Sequence, residues 1–321
     1  MKSYPQPIPI SIIILNWNAA DDTIACVQKC MSWRQVSPQI WVVDNASEGQ
    51  DVELIRQACP TITVIENAEN QGFSGGSNRG IEAALEAHKW PILLLNNDAT
   101  IDEAHITRLV NTLDNDYTIG IVGPALYDAE MPDTLLSVGG KNPVLYFQTR
   151  HRQLIGEGPL FEVNNVSGTA VLIRADIFER SGLLDEAYFF STEMADFCAR
   201  AKGYGFNSVI DTRAKAHHTI SRSANHRSTL YVYYIVRNRF IYLRKFYGSF
   251  VKYLLLLFWA SYSAALMIKL RLSGETATAT AVRLALLDGL LQRFGGQNAR
   301  VMAACQANDS APKATVSTPT S

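Results

Sequence analysis

Four stretches of the chain place carboxylates, amides or imidazoles where they could do chemistry. The first is Asn96-Asn97-Asp98, directly after the apolar residues 91–95. A carboxylate just past a buried strand suits a divalent cation, because Mg²⁺ and Mn²⁺ take few protein carboxylates and complete their shell with phosphate oxygens and water. Capping of a helix that begins near Ile101 is the competing reading. The second is Asn70-Gln71-Gly72-Phe73-Ser74-Gly75-Gly76-Ser77-Asn78-Arg79-Gly80. Its glycines permit unusual backbone angles and close approach to a ligand, and a helix opening from it would turn free N–H groups toward an anion. A plain turn into the helix is the alternative. The GxGxxG spacing is absent and the loop follows the third strand rather than the first, which argues against a dinucleotide site. The third is Glu193 and Asp196, three apart and so on one helical face. Beside Phe189-Phe190 such a carboxylate can be tuned as a general base, or can simply cap its helix. The fourth is His217-His218, structural unless a metal sits near Asp98, when an imidazole is an acceptable further ligand.

An α/β sheet must position these groups. Apolar, partly β-branched runs at 10–15, 40–43, 61–66, 91–95, 119–122, 166–173 and 208–210 read as strands. Helical patterns fall between them at 21–33, 52–58, 81–88, 104–113, 174–181 and 193–202. This alternation predicts a parallel sheet with right-handed crossovers, whose ligands bind outside the carboxyl ends of the strands. Asn16-Trp17-Asn18, Asp44-Asn45-Ala46-Ser47 and Asn96-Asn97-Asp98 all fall on that edge. Residues 128–160 are irregular, with several Gly and Pro. They read as a long functional loop or a small antiparallel excursion.

The chain has 321 residues, 47% of them hydrophobic, enough for one large domain or a domain with an appendage. A net charge of -1 gives no support to nucleic-acid binding. Five scattered cysteines suggest reduced thiols in the cytosol. The opening MKSYPQPIPI has no apolar run and does not read as a signal peptide, so the protein is expected to stay where it is made. From about Ser228 the composition changes. Tyr231, Tyr233, Tyr234, Arg237, Asn238, Arg239, Tyr242, Arg244 and Lys245 predict a basic, aromatic helix. The nearly all-apolar 253–268 follows, between Lys252 and Lys269. It falls short of the roughly 18–20 residues that cross a bilayer, so a core helix, an interfacial helix and a tilted span stay open. Aromatics beside Lys and Arg favour the interface. One more helix is expected over 277–294, then a disordered tail rich in Ala, Pro, Ser and Thr. The expected divisions are an extension (1–9), a main domain (10–225), a helical membrane-proximal region (226–305) and the tail (306–321).

In this order the segments resemble the inverting glycosyltransferases of family 2, especially the bacterial rhamnosyltransferase-like branch. The matching pieces are Ser11 to Asn18, Val42 to Ser47, Asn70 to Ile81, Leu93 to Asp98, Val166 to Ala170, Gly182 to Glu186 and Arg237-Asn238-Arg239. Each is weak alone; seven in order are specific. The resemblance implies the GT-A nucleotide-diphospho-sugar fold, with Mg²⁺ or Mn²⁺ as cofactor. It implies a donor site from Asn16, Asn18, Asp44, Asn45, Gly72, Gly75, Gly76, Asn78, Arg79, Asn96 and Asn97, with Asp44 on the base or ribose. Asp98 matches the second acid of the family's metal motif, with Asn96 in place of the first, and His218 matches a late histidine facing diphosphate and metal. Many relatives carry Glu-Asp where this chain has Glu193-Met194. Methionine cannot accept a proton, so Glu193 is the candidate base and Asp196 the second. The implied reaction moves a sugar from a UDP- or dTDP-sugar, dTDP-rhamnose at branch level, to a glycan or lipid-linked acceptor with inversion. It would occur at the cytoplasmic face of the cell membrane, in polysaccharide synthesis. A non-catalytic nucleotide-sugar-binding descendant is the alternative. A nucleotidyltransferase would need a glycine-rich basic loop where Asn16-Trp17-Asn18 stands.

Overall fold

The computed structural model describes residues 7–151, 153, 158–219 and 225–309. Most of the expected N-terminal extension, and the expected tail beyond residue 309, lie outside them. The chain divides into two units, Met1–Arg222 and Ser223–Ser321.

In the first unit the elements run β1 (Ile8–Asn16), α1 (Ala20–Met31), β2 (Val36–Asp44), α2 (Asp51–Ala58), β3 (Thr63–Glu66), α3 (Gly72–Ala87), β4 (Ile92–Asn96), β5 (Ala99–Ile101) and α4 (Glu103–Asn115). Then follow β6 (Ile119–Asp128), β7 (Leu135–Ser137), β8 (Leu160–Glu162), β9 (Ala170–Ile173), α5 (Ala175–Ser181), a 3-10 turn (Glu186–Tyr188), α6 (Glu193–Gly203) and β10 (Asn207–His218). The strand order is β3-β2-β1-β4-β9-β6-β10-β5. Strands β3, β2, β1 and β4 are parallel, while β9 runs antiparallel between β4 and β6. The sheet is therefore mixed, a feature that periodicity does not report.

Both faces of the sheet are covered, which is why its strands read as continuous apolar runs. Side chains alternate between two cores. Ile10, Ile12, Ile14, Val42, Leu93 and Leu95 pack with α1 and α4. Ile13, Trp41, Val43, Ile92 and Leu94 pack with α3, α5 and α6. The register aligns the chemistry: Asn16 pairs with Asp44 and Leu15 with Asn96, so three polar strand ends share one edge. Residues 128–160 supply β7, an isolated bridge between Gly140 and Arg150, and the start of β8.

The glycine stretch departs from expectation. It is not a turn before a helix at Ile81; α3 begins at Gly72 and takes in every one of its glycines. Glycine disfavours helix interiors, and here packing overrides that preference. A Cβ on Gly76 would lie 2.5 Å from Leu15 Cδ1, so the bare backbone lets α3 press against the sheet.

The second unit holds α7 (Asn225–Phe246), α8 (Ser249–Leu272), α9 (Thr276–Leu291) and α10 (Asn298–Asp309). The basic, aromatic helix is not a surface element: Tyr233, Tyr234, Arg237, Asn238, Arg239 and Tyr242 of α7 are buried. Their polar groups are met inside. Tyr233 Oη donates to Asp288 Oδ2 at 2.6 Å, Tyr234 Oη to Asn298 Oδ1 at 2.6 Å, and Arg237 to Gly295 O at 2.5 Å. The apolar run instead belongs to α8, whose 24 residues exceed the expected 253–268.

Candidate functional site

Asn16 ties the first two strand ends together. Its Nδ2 lies 2.8 Å from Asp44 Oδ1, 3.1 Å from Ser47 Oγ and 3.1 Å from Asp51 Oδ2. The other Asp44 oxygen accepts from Ser47 N at 2.9 Å. Asn18, at φ 53°, accepts from Glu48 N and donates its own N–H to Ser47 Oγ. Thr23, which the sequence reading passed over, links two strand ends: its hydroxyl donates to Asn16 Oδ1 at 2.6 Å and accepts from Asn97 Nδ2 at 3.0 Å. Asp44 is buried, and each carboxylate oxygen retains a lone-pair site beyond its one short internal bond.

Several expected donor contacts are braces instead. Asn45 donates to Asn70 Oδ1 and Gly72 O, and accepts from Asn67 Nδ2 and Gln71 N. These four bonds use up its amide. Asn78 spends its Nδ2 on Leu184 O and Glu186 Oε1 and accepts from Leu184 N. The start of α3 does not face an anion either. Gly72 N donates to Asn70 Oδ1, while Phe73 N and Ser74 N both donate to Phe189 O, at 2.7 and 3.3 Å. Gly72, at φ +69°, is required there, because a Cβ would run into the Phe189 carbonyl. Gly75 and Gly76 are likewise buried in packing, and Arg79 is half-exposed with Glu82 3.8 Å away.

Asp98 and His218 come together because β5 pairs antiparallel with the end of β10, setting Ala99 opposite His218. Thr219 N closes the pair by donating to Asp98 O at 3.0 Å. His218 Nε2 lies 3.1 Å from Asp98 Oδ1, yet the two are not aligned as a hydrogen bond, and the buried Oδ1 has no hydrogen-bond partner. With Nε2 unprotonated the two atoms would fit a shared cation, since neighbouring ligands of an octahedral ion at about 2.1 Å lie about 3 Å apart. Among the described residues no cluster of three or more His, Cys, Asp or Glu forms a metal site. His217 does not join the pair; its ring packs 6.1 Å from that of Tyr127. It lines a cleft of about 330 Å³ that borders Asp98, Lys29 and Lys215.

Glu193 opens α6 after a contorted approach. Phe189, Ser191 and Thr192 have φ of 62, 68 and 74°, and non-glycine residues in such conformations cost about 1–3 kcal/mol each. Glu193 is 7% exposed, and its Oε2 has no hydrogen-bond partner. Burial pushes its carboxyl up to about 7; a hydrogen bond from its own backbone N–H pulls the other way, and the charge of Asp196 adds to the rise. Asp196 differs. It is fully buried, bonded to Arg200 Nε at 2.6 Å, and accepts from Tyr188 Oη at 3.3 Å. Arg200 also donates to Ser181 O and, at 2.7 Å, to Leu183 O. This carboxylate anchors α6 and is committed to its cation, which corrects its standing as a second candidate base. The Asp196–Arg200 spacing of four was a readable signal.

Met194 is buried in the α3–α6 core. A Cβ on Gly168 would lie 2.8 Å from Phe73 and 3.3 Å from Met194, so the three pack at one point. Next to Gly168, Thr169 accepts from Asn96 N at 2.9 Å. That chain of contacts ties the start of α6 to the strand end that carries Asp98.

Comparison with known proteins bears on this arrangement. The profile of Glycosyl transferase family 2 matches residues 11–182. The low-salt glycan biosynthesis hexosyltransferase Agl10 of Haloferax volcanii is 29% identical over 248 residues, 72% of this chain and 74% of that protein. The dTDP-rhamnosyl transferase RfbF of Shigella flexneri is 26% identical over 185 residues, 55% of this chain and 61% of that protein. Among solved structures, the mannosyltransferase PcManGT of Pyrobaculum calidifontis, in complex with GDP-Man and Mn²⁺, aligns at TM-score 0.55 and 13% identity, covering 96% of this chain and 84% of that one. GalNAc-T7 with UDP, GalNAc and Mn²⁺ aligns at TM-score 0.55 and 14% identity over 73% of this chain; the match spans 48% of that longer protein. The architecture is that of the GT-A glycosyltransferases.

Proposed function

We propose that this chain, which belongs to glycosyl transferase family 2, moves a hexosyl unit from a nucleoside-diphosphate sugar to an acceptor hydroxyl in one inverting displacement. The observation that carries the reading is Glu193: a buried carboxyl with one unbonded oxygen, near pKa 7, tied to the same sheet edge as Asp98 and His218. Asp44, with lone pairs to spare, takes the base or ribose of the donor. Asp98 and His218 would hold a divalent cation, Mg²⁺ or Mn²⁺, which would supply positive charge against the departing diphosphate. Glu193 Oε2 accepts the acceptor's proton as the new glycosidic bond forms at the anomeric carbon and the bond to the diphosphate breaks. The buried core around Phe73 and Met194 keeps water from the base.

The donor is a UDP- or dTDP-sugar, with dTDP-rhamnose favoured by the likeness to RfbF. The acceptor is a glycan or lipid-linked saccharide in cell-surface polysaccharide synthesis, used at the inner face of the cell membrane. The exposed apolar helix α8 supports the membrane placement. Calorimetric titration with UDP, dTDP and GDP, each with and without Mn²⁺, tests the donor site. One nucleotide should bind in a metal-dependent way and lose at least about tenfold in affinity in Asp98→Ala. No binding of any of them would overturn the assignment. A second reading, a nucleotide-sugar binder without catalysis, rests on Met194 standing where many relatives have an acid. It would be favoured if the donor binds but is neither hydrolysed nor transferred.

A further inference from the structure

The net charge of -1 conceals a division between the two units. Residues 1–222 carry 17 Lys and Arg against 27 Asp and Glu, a net -10, while residues 223–321 carry 12 against 3, a net +9. One of those three acids, Asp288, is buried and engaged by Tyr233 and Arg300. Arg237 and Arg239 are buried too, but Lys245, Lys269, Arg271, Arg283 and Arg293 are exposed against Glu275, so the described surface of the helical unit is basic. It also carries an apolar stripe along the length of α8. Phe250, Leu254, Leu257, Ile268 and Leu272 recur at helical spacing, and Phe250, Leu257 and Leu272 are 77, 67 and 84% exposed. The opposite side is fixed inward by Trp259, buried, with the Arg239 guanidinium 4.2 Å from its ring centroid. Only 11% of the most apolar stretch of α8 is buried, so this is not the core helix of a soluble unit. Twenty-four residues make a stripe about 36 Å long, far beyond the scattered apolar residues of an ordinary surface.

We infer that α8 lies in the plane of an anionic membrane surface. Its stripe would enter the headgroup–acyl boundary, and exposed Lys269, Arg271 and Arg283 would contact acidic headgroups. Charge complementarity selects this occupant over a second copy of the chain, whose matching face would set the same exposed cations against each other. Packing selects the in-plane arrangement over a span. The inner side of α8 is joined to α7 and α9, which carry buried Arg239 and buried Asp288, the latter paired with Arg300 of α10, groups that a bilayer interior admits only at high cost. The inference deepens the membrane placement proposed above and is independent of which sugar is moved.

The test is co-flotation of the full-length protein with phosphatidylcholine vesicles, with and without phosphatidylglycerol. Binding should be at least about tenfold tighter to the anionic vesicles, reversed by high salt, and removed without detergent. Leu254→Glu with Leu257→Glu should abolish it. Lys269→Glu with Arg271→Glu should erase the preference for phosphatidylglycerol. Both variants should keep the wild-type circular dichroism and nucleotide affinity. Equal binding to neutral vesicles, extraction only by detergent, or a dimer in light scattering that the leucine variant dissolves would each overturn the inference. If vesicle binding behaves as expected while no nucleotide binds, the transferase reading fails and this one stands.

Discussion

The two helices that meet at Phe189 begin in opposite ways. The start of α3 has its first donors bonded by Asn70 and the Phe189 carbonyl, and its glycines are filled by neighbours. The start of α6 follows three strained residues and leaves a buried carboxylate oxygen without a hydrogen-bond partner. Within α6 the contrast repeats: Asp196 is locked to Arg200, while Glu193, one turn away, has a raised pKa and an orphaned atom. Burial alone does not mark a reactive group. Glu193 Oε2 differs from Asp196 in carrying a desolvation cost that no hydrogen bond offsets.

The sharpest way to break this contrast is Glu193→Gln. It should lower kcat by about 10²–10⁴-fold with nucleotide affinity unchanged, read by steady-state transfer and titration. Loss of both together would place Glu193 among the donor contacts. In the wild type, kcat should rise as pH increases through about 7, as Glu193 gives up its proton. Next comes Arg200→Ala, which strands a buried Asp196 and should cost about 3–5 kcal/mol in denaturant unfolding. A neutral result would remove Asp196 from the scaffold. The third prediction concerns stability alone. Between pH 4.5 and about 7 the folded protein holds a Glu193 proton that the unfolded chain has lost, so this group lowers stability as pH rises across that window and is flat above it. Glu193→Gln should therefore stabilise by up to about 3 kcal/mol at pH 8 and by little at pH 4.5. The smallest effect is expected for Gly72→Ala, about 1–3 kcal/mol, from a positive φ and a collision with Phe189.

Much of this was legible in the residues. The strand ends at Asn16, Asp44 and Asn96 were visible because apolar runs stop abruptly in amides and acids, and Glu193 stood out beside Phe189-Phe190. The rest depends on long-range contacts that no local pattern encodes. The glycine stretch read as a turn because helix propensity is local, whereas its fit against Leu15 and Phe189 is tertiary. Asn45 and Asn78 read as ligand contacts because a braced amide and a free one have the same sequence. The arginines and tyrosines of α7 read as suited to a membrane interface because their partners, Asp288, Gly295 and Asn298, lie more than fifty residues away. A whole-chain charge of -1 averaged out two opposed units.

The Phe189 carbonyl has one further consequence. It receives the amide protons of both Phe73 and Ser74, so the backbone leading to Glu193 and the first turn of α3 are fastened at one atom. Displacement of that backbone to admit an acceptor would release both amides to solvent together. Their exchange with deuterium would thus report movement of the segment leading to Glu193, with no attached probe, and would slow where a ligand holds that segment in place.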